Sequence, residues 1–363
     1  MKKILMIGVT NSVGGIETYI MNLLRHLDTD KYKLCFPYIK NMAYHDEIVA
    51  LGGEILPELP RSRRTLWKYY HSWKSLIVKE KIDAIYYNDC DIVSLSLLRI
   101  AKKAGVPIRI FHAHNSSNTK KRNIVHRLSQ VYNRVCVGNV ATDLLACSAN
   151  AGDFIFGKHP YSVIKNGIDL DKYEFKECIR KNRRSQFKIQ DEKVFLFVGR
   201  FTDIKNPLFC LEVFKKIYDK DKNSKLFFCG DGPLMQEIKQ RIVEYDLQSS
   251  VFLLGNCADV NELYSMADYL IMPSLFEGFP FVLVEAQCSG LKCICSDKIE
   301  QNTNISNTIT YINLDIGAKN WAEQILNMQC NSRRETFGKV IREAGFDIKH
   351  TVNVIENLLE GER

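Results

Sequence analysis

Short apolar runs, rich in β-branched and aromatic residues, alternate along this chain with longer segments of helical period. A run of about four to eight such residues between turn residues is typical of a buried strand, so the alternation predicts βα units and parallel sheets. The expected fold class is therefore α/β. The expected strands are residues 4–9, 34–38, 82–87, 108–111, 144–146, 194–198, 226–229, 251–254, 269–272 and 292–295.

The length of the chain predicts two domains, because 363 residues exceed what one hydrophobic core usually supports. The segment VIKNGIDLDKY (163–173) contains an Asn-Gly turn signal and is followed by a charged stretch, so we place the junction there. Domains are expected at 1–168 and 169–345, with a helical segment at 346–363. Two α/β domains joined by one short connection are expected to leave a ligand-binding cleft.

Composition and residue spacing exclude several classes of protein. With 46% apolar and 25% charged residues, the chain has the composition of an ordinary globular protein rather than a disordered one. The start MKKILMIGVT is too short in apolar residues for a signal peptide, and no stretch reaches the roughly 18 apolar residues of a membrane-spanning helix. The 12 cysteines form no CxxC pair and no zinc-type cluster, which favours reduced thiols, a cytoplasmic location and no metal site.

Two glycine-containing segments and two cations follow expected strands. Gly14 and Gly15 precede an expected helix, where bare glycine lets a phosphate approach the helix N-terminus, although the spacing is not GxGxxG and a plain tight turn fits equally. Arg200 and Lys205 follow the carboxyl end of an expected strand, where they can hold a diphosphate; alternatively they are solvated surface charges. The Gly-Asp-Gly turn at 230–232 suits close approach of a base or ribose, or is an ordinary turn.

The segment SLFEGFPFVLVEAQ holds two glutamates, Glu277 in a loop and Glu285 on the helix that Pro280 is expected to begin. Glu285 lies within an apolar stretch, and a charge in such a place needs a partner. The break between loop and helix allows both carboxylates to face one ligand. Taken alone, the pair suggests acid–base chemistry.

These segments together resemble the retaining family 4 glycosyltransferases of GT-B fold, over nearly the whole chain and in the family's order. The phrases HAHNS (112–116) and VIKNGID are similar to those of bacterial capsule and exopolysaccharide members. The resemblance implies two Rossmann-like parallel-sheet domains facing a deep cleft, with the C-terminal helix returning to the N-terminal domain. The first domain would serve the acceptor and the second the nucleotide-sugar.

The resemblance also implies a role for each matching residue. Arg200 and Lys205 would hold the donor diphosphate, Glu285 the ribose hydroxyls and Glu277 the hydroxyls of the donor sugar; His114 would bond a sugar hydroxyl, or is a neutral histidine satisfied near a strand end. The expected catalytic residues are Glu277, His114, Arg200 and Lys205. The expected donor-binding residues are Gly14, Gly15, Arg200, Lys205, Gly230, Gly232, Glu277, Gly278, Phe279 and Glu285.

The function implied by the resemblance is retaining transfer of a hexose or N-acetylhexosamine from a UDP-sugar to a glycan acceptor, expected to be lipid-linked, in surface polysaccharide biosynthesis. No cofactor and no metal are expected, because cationic side chains would replace the metal. A sugar-nucleotide epimerase of the same fold and a non-catalytic glycan-binding protein are the alternatives. A glycoside hydrolase fits less well, since it has no use for a diphosphate cradle.

Positive charge is concentrated in the first half of the chain. Residues 1–165 hold 24 Lys and Arg against 13 Asp and Glu, and the remainder holds 26 against 29. The segments 61–81 and 118–134 are basic, and the first interleaves aromatic residues with its cations. A basic amphipathic face suits peripheral contact with an anionic membrane, whereas a solvated helix with its aromatics packed inward fits the same letters. No nucleic-acid-binding motif accompanies the charge.

Overall fold

The computed structural model describes residues 1–59, 66–114, 123–277, 279–330 and 333–362. Two compact units divide the chain, one formed by residues 1–167 with 348–363 and the other by residues 168–347. Within the described ranges, no helix is both long enough and apolar enough to cross a membrane.

The first unit is built on a parallel sheet with the strand order β3-β2-β1-β4-β5-β6-β7. Its strands are β1 Lys2–Ile7, β2 Tyr32–Pro37, β3 Glu54–Leu56, β4 Ala84–Asp89, β5 Ile108–Ala113, β6 Asp143–Ala146 and β7 Ser162–Val163. Its helices up to the junction are α1 Gly15–His26, α2 His45–Ala50, α3 Leu66–Lys79, α4 Ser96–Lys103, α5 Ile124–Cys136 and α6 Ala149–Phe156, and a short 3-10 turn spans Val137–Asn139.

The second unit is built on a parallel sheet with the strand order β10-β9-β8-β11-β12-β13. Its strands are β8 Lys193–Val198, β9 Ser224–Cys229, β10 Val251–Gly255, β11 Tyr269–Met272, β12 Lys292–Ser296 and β13 Ile309–Ile312. Its helices are α7 Leu170–Tyr173, α8 Glu177–Gln186, α9 Pro207–Lys220, α10 Met235–Glu244, α11 Val260–Met266, α12 Phe281–Cys288, α13 Gly317–Leu326 and α14 Phe337–Glu343, with 3-10 turns at Gln301–Thr303 and Leu314–Ile316.

The last helix, α15 Ile348–Glu360, belongs to the first unit. Its C-terminal end is fixed to β1 and β2, because Lys2 Nζ donates to the Leu359 carbonyl at 2.8 Å and the Tyr32 hydroxyl donates to the Glu360 carboxylate at 2.6 Å. The chain therefore begins in this unit, leaves it after residue 167 and returns to it at residue 348.

Every strand in both sheets pairs in parallel, which confirms the expected α/β class. Buried aliphatic and aromatic side chains cover both faces of the second sheet: Phe195, Phe197 and Phe228 lie in one cluster and Leu196 and Phe227 in the other. Alternate residues of one strand thus enter opposite layers of the core, as continuous apolar runs of a doubly covered parallel sheet require.

All ten expected strands are present, with small shifts at their ends. The expected strand 4–9 ends at Ile7, because Gly8 has a φ of 136° and leaves the extended conformation. The Asn-Pro helix start is confirmed, since α9 begins at Pro207. Pro280, expected in the first turn of α12, is instead the residue before it.

Candidate functional site

The carboxyl ends of β8, β9 and β11 are adjacent, because β8 pairs with β9 on one side and with β11 on the other. The direction of strand order reverses at β8, and such switch points are where open parallel sheets bind ligands. Arg200 follows β8, Gly230 follows β9 and Glu277 follows β11. The fold of the second unit thus places three of the expected segments along one edge of the sheet.

The two glycines of the Gly-Asp-Gly turn pack directly against the turn that carries Arg200. A Cβ atom on Gly230 would lie 2.0 Å from the Gly199 carbonyl oxygen, and one on Gly232 would lie 2.5 Å from the Phe201 carbonyl oxygen. The Phe201 N–H also donates to the Asp231 carbonyl at 2.9 Å. The turns after β8 and β9 therefore touch backbone to backbone, which only glycine permits at these positions.

Lys205 and Glu277 form an ion pair between Nζ and Oε1. Their side chains are 25% and 13% exposed, so the pair is partly shielded from water. Asn206, in the left-handed conformation just before α9, donates from Nδ2 to the Pro273 carbonyl at 3.2 Å and joins the two loops. Two residues expected to grip different parts of one ligand are thus in contact with each other, while Arg200 is exposed.

Glu285 lies on α12 and is 7% exposed. The Tyr264 hydroxyl on α11 donates to its Oε2 atom at 2.8 Å, which supplies the partner that a buried charge needs. Burial raises the pKa of Glu285, and hydrogen bonds from Tyr264 and Tyr173 oppose that rise. The carboxylate therefore already accepts a hydroxyl hydrogen bond, the kind of bond that a sugar or ribose hydroxyl makes.

Arg334 is a buried cation that the sequence analysis missed. Its guanidinium donates to the carbonyls of Tyr264 (2.7 Å), Ala267 (2.8 Å) and Ser289 (2.9 Å), at the C-terminal ends of α11 and α12. Burial lowers its pKa to about 10. A cation at a helix C-terminus is favourable, and here one side chain fixes the ends of both helices that carry Tyr264 and Glu285. The letters SRRETF around it resemble a solvated loop.

The loop between β11 and α12 carries two further expected residues. Gly278 lies outside the described residues. The Phe279 ring stacks on the Phe346 ring with centroids 5.2 Å apart and an angle of 6° between the planes. The Phe279 ring therefore packs against another side chain of the second unit.

In the first unit, the expected glycine loop leads into α1. Gly14 is the extended residue before the helix, and Gly15 is its first residue. A Cβ on Gly15 would meet nothing within 4 Å, so space around this backbone is open. The Glu17 carboxylate accepts the Thr10 N–H at 3.1 Å and the Thr10 hydroxyl at 2.6 Å, which ties the first turn of α1 to the start of the loop.

His114 follows β5 and is held in one tautomer. Its Nε2 lies 2.9 Å from Asn88 Oδ1, and Asn88 Nδ2 donates to the Ile7 carbonyl at 2.9 Å, so Nε2 carries the proton and Nδ1 the lone pair. Burial lowers the pKa of His114 to about 3. The His112 ring, 4.1 Å away, is bonded through Nδ1 to the Tyr86 hydroxyl at 2.9 Å. His114 is therefore a neutral ring with one hydrogen-bond acceptor.

The expected residues form two sets, one in each unit. In the second unit Lys205 contacts Glu277, the Gly-Asp-Gly turn contacts the turn of Arg200, and Glu285 lies on the helix that follows Glu277. The first unit holds Gly14, Gly15 and His114. Across the described ranges, no group of three or more His, Cys, Asp or Glu side chains is placed to hold a metal ion.

Two family models match the chain. Residues 13–172 match the model described as Glycosyltransferase Family 4, and residues 179–309 match the model described as Glycosyl transferases group 1. The two matches fall in the first and the second unit respectively, apart from five residues at the junction.

Several curated proteins are similar over most of their length. The Bacillus subtilis protein named "Putative glycosyltransferase EpsF" is 31% identical over 359 residues, which cover 95% of this chain and 93% of EpsF. An Escherichia coli enzyme named UDP-Gal:alpha-D-GlcNAc-diphosphoundecaprenol alpha-1,3-galactosyltransferase is 28% identical, with 78% of this chain and 76% of that one covered. The capsular polysaccharide biosynthesis glycosyltransferase CapH of Staphylococcus aureus is 23% identical, with 95% of each chain covered.

A solved structure with the same fold is that of Anabaena HepE in complex with UDP-glucose. It matches with a TM-score of 0.76 over 99% of this chain and 100% of that chain, at 16% identity. At this identity the match concerns the fold alone.

Proposed function

We propose that this chain, which belongs to the family 4 glycosyltransferases of GT-B fold, transfers a hexose or N-acetylhexosamine from a UDP-sugar to a lipid-linked glycan acceptor. The observation that carries the proposal is the edge of the second sheet, where Lys205 pairs with Glu277 and the turn of Arg200 rests on a bare glycine turn. This edge combines cations for phosphate with carboxylates for hydroxyls.

Each group at this edge has a proposed task. Arg200 and Lys205 would bind the diphosphate, and their preorganised charge would stabilise it as it leaves. Glu285 would accept the ribose hydroxyls, since its carboxylate already accepts the hydroxyl of Tyr264. A UDP carrier is supported by the UDP-glucose complex of HepE and by the UDP-galactose donor named for the Escherichia coli relative.

Glu277 is proposed to bind a hydroxyl of the donor sugar rather than to attack it. Its carboxylate is ion-paired with Lys205, the cation proposed to bind the diphosphate, which suits a role in holding the donor. The transfer would then be retaining by a front-face route. The bond between sugar C1 and the diphosphate oxygen breaks, the acceptor oxygen bonds to C1 on the same face, and the departing diphosphate takes the acceptor proton.

Metal-independent activity is part of the proposal. Two cationic side chains follow β8 and would neutralise the developing charge of the diphosphate. The test is the rate of transfer in the presence of a chelator, which should match the untreated rate. Loss of activity that Mg²⁺ or Mn²⁺ restores would overturn this part.

The acceptor is proposed to be lipid-linked, in the biosynthesis of a surface polysaccharide such as a capsule. Two relatives support this, one named for a diphosphoundecaprenol acceptor and one for capsular polysaccharide biosynthesis. His114 and the glycine loop at Gly14 and Gly15 are proposed to assist the donor, His114 by accepting a sugar hydroxyl at Nδ1.

The experiment is incubation of the purified protein with a panel of sugar nucleotides, with and without bacterial lipid extract. Nucleoside diphosphate release and all sugar products are followed by mass spectrometry. Release of UDP together with a new glycolipid is the expected result. A free sugar epimer without transfer would indicate an epimerase, and tight glycan binding without turnover of any donor would indicate a binding protein.

A further inference from the structure

The outer face of α5 is apolar along its length. Six apolar side chains of this 13-residue helix are between 62% and 74% exposed, and they recur at the spacing of a single helical stripe. They are Ile124, Val125, Leu128, Val131, Tyr132 and Val135. Contiguous apolar surface of this kind on a globular unit marks an interaction site.

The inner face of α5 is polar. Asn133 is 4% exposed and donates from Nδ2 to the carbonyls of Ile92 at 3.0 Å and Val93 at 2.8 Å. One turn earlier, Gln130 donates from Nε2 to the Asp91 carboxylate at 2.9 Å. The helix is therefore attached to its unit by hydrogen bonds from side chains that would normally face water.

This orientation is the reverse of what water favours for an amphipathic helix, whose apolar stripe normally packs on the core. Rotating α5 to bury the stripe would break the bonds of Asn133 and Gln130 and leave buried polar groups without partners, which is costly. The hydrogen bonds of Asn133 and Gln130 thus keep the apolar stripe on the surface of the first unit. An apolar phase outside the protein would remove these side chains from water.

The surroundings of the stripe are cationic. Arg127 is exposed on α5 itself, and the helix contains no Asp or Glu. Arg99, on α4, lies with its guanidinium carbon 5.3 Å from the centre of the Tyr132 ring and donates to Asn133 Oδ1 at 3.0 Å. It also lines a groove of about 900 Å³ with Trp67 and Lys103, and Trp67 is 74% exposed.

We propose that the outer stripe of α5 and the adjoining aromatic groove lie on an anionic lipid bilayer, with the stripe inserted below the headgroups. Apolar and aromatic side chains flanked by cations match that surface in both of its layers. A second copy of the chain fits less well, since two such faces would bring cations of like sign together.

The test is co-sedimentation of the full chain with vesicles of equimolar phosphatidylglycerol and phosphatidylcholine, compared with vesicles of phosphatidylcholine alone. Binding to the anionic vesicles is expected, and it should weaken between about 0.1 M and about 0.5 M salt because the headgroup attraction is screened. The double variant L128D/V131D should bind at least tenfold more weakly. The matched control V49D places the same charge on an apolar side chain of α2 that is 51% exposed, and it should bind as the parent does.

Three outcomes overturn the proposal: no binding by the parent protein, equal binding by L128D/V131D, or a parent dimer that this variant converts to monomers without any binding to vesicles. Thermal unfolding of each variant is measured first, and since the changed side chains are exposed, it should match that of the parent. UDP affinity without vesicles is measured in parallel. If the parent protein binds vesicles but does not bind UDP, the result would count against the transferase proposal alone.

Discussion

Replacing Glu277 with glutamine should change nucleotide binding and sugar transfer in opposite directions. The Glu277 carboxylate forms an ion pair with Lys205, and both side chains are largely shielded from water. A diphosphate that binds Lys205 must displace or share that contact and is repelled by the carboxylate. Glutamine keeps the size of the side chain and its ability to bond hydroxyls but removes the charge.

The size of the effect follows from the charges. Two like charges roughly 8 Å apart in a medium with an effective dielectric of about 20 repel by about 2 kcal/mol. Loss of the preformed Lys205 geometry offsets part of this, so UDP should bind about three- to tenfold more tightly to E277Q, a gain of about 1 kcal/mol. Glutamine replaces a hydrogen bond to a carboxylate, worth about 1.5–3 kcal/mol, with a neutral one worth about 0.5–1.5 kcal/mol. The difference of roughly 1–1.5 kcal/mol should lower kcat/KM for transfer roughly 5- to 13-fold.

Isothermal titration of UDP and initial rates with the preferred UDP-sugar measure the two quantities on the same preparations. The matched control is E262Q, which removes the charge of another ion-paired glutamate in the same unit, the partner of Arg183, and should change neither quantity. Equal weakening of UDP binding and of transfer in E277Q would refute the reasoning, as would unchanged transfer.

Three further predictions concern the supports of the site. Gly230→Ala should weaken UDP binding and lower the melting temperature, because its Cβ would lie 2.0 Å from a carbonyl oxygen of the neighbouring turn. The control Gly255→Ala, where φ is 66° and a Cβ would meet nothing within 4 Å, should lower the stability by only about 1 kcal/mol. Similar melting temperatures for the two variants would contradict this prediction. Arg334→Met should destabilise the protein by about 3–5 kcal/mol in urea unfolding, since buried carbonyls lose their partner, and a loss under about 1 kcal/mol would contradict it. Burial lowers the pKa of His112 and of His114 in the folded protein, so below pH ~6.5 the unfolded state binds more protons than the folded state. The free energy of unfolding should therefore fall on acidification from pH ~6.5 towards pH ~3, by up to about 1.4 kcal/mol per pH unit for each ring. A free energy of unfolding that does not change between pH ~7.5 and ~5 would contradict this prediction.

The sequence predicted the strands that local patterns determine. The runs that became β8 and β9 are long, aromatic and bounded by glycine turns, so their assignment needed no knowledge of distant residues. The strands β3 and β7 were missed because three and two residues carry too little pattern. The strand β13 was missed although its letters ITYI are a strand signal.

The site was predictable in its residue types but not in its contacts. The apolar letters around Glu285 predicted a buried charge with a partner, but Tyr264 lies 21 residues earlier and only the fold joins them. Arg334 acts through carbonyls 45 to 70 residues away, for which no local signal exists. The direction of the α5 stripe likewise depends on bonds from Asn133 to residues about 40 positions away.

The central claim is that the second unit binds a nucleotide-sugar at the carboxyl edge of its sheet and that the protein transfers the sugar. The most direct measurement is incorporation of label from a radiolabelled UDP-sugar into lipid extract by the parent protein and by Glu285→Ala. We expect incorporation by the parent, with retention of the anomeric configuration, and loss of at least 99% of it in the variant, since about 3 kcal/mol of hydroxyl binding to a carboxylate disappears. Equal incorporation by both proteins would contradict the site, and no incorporation from any UDP-sugar would contradict the proposed reaction.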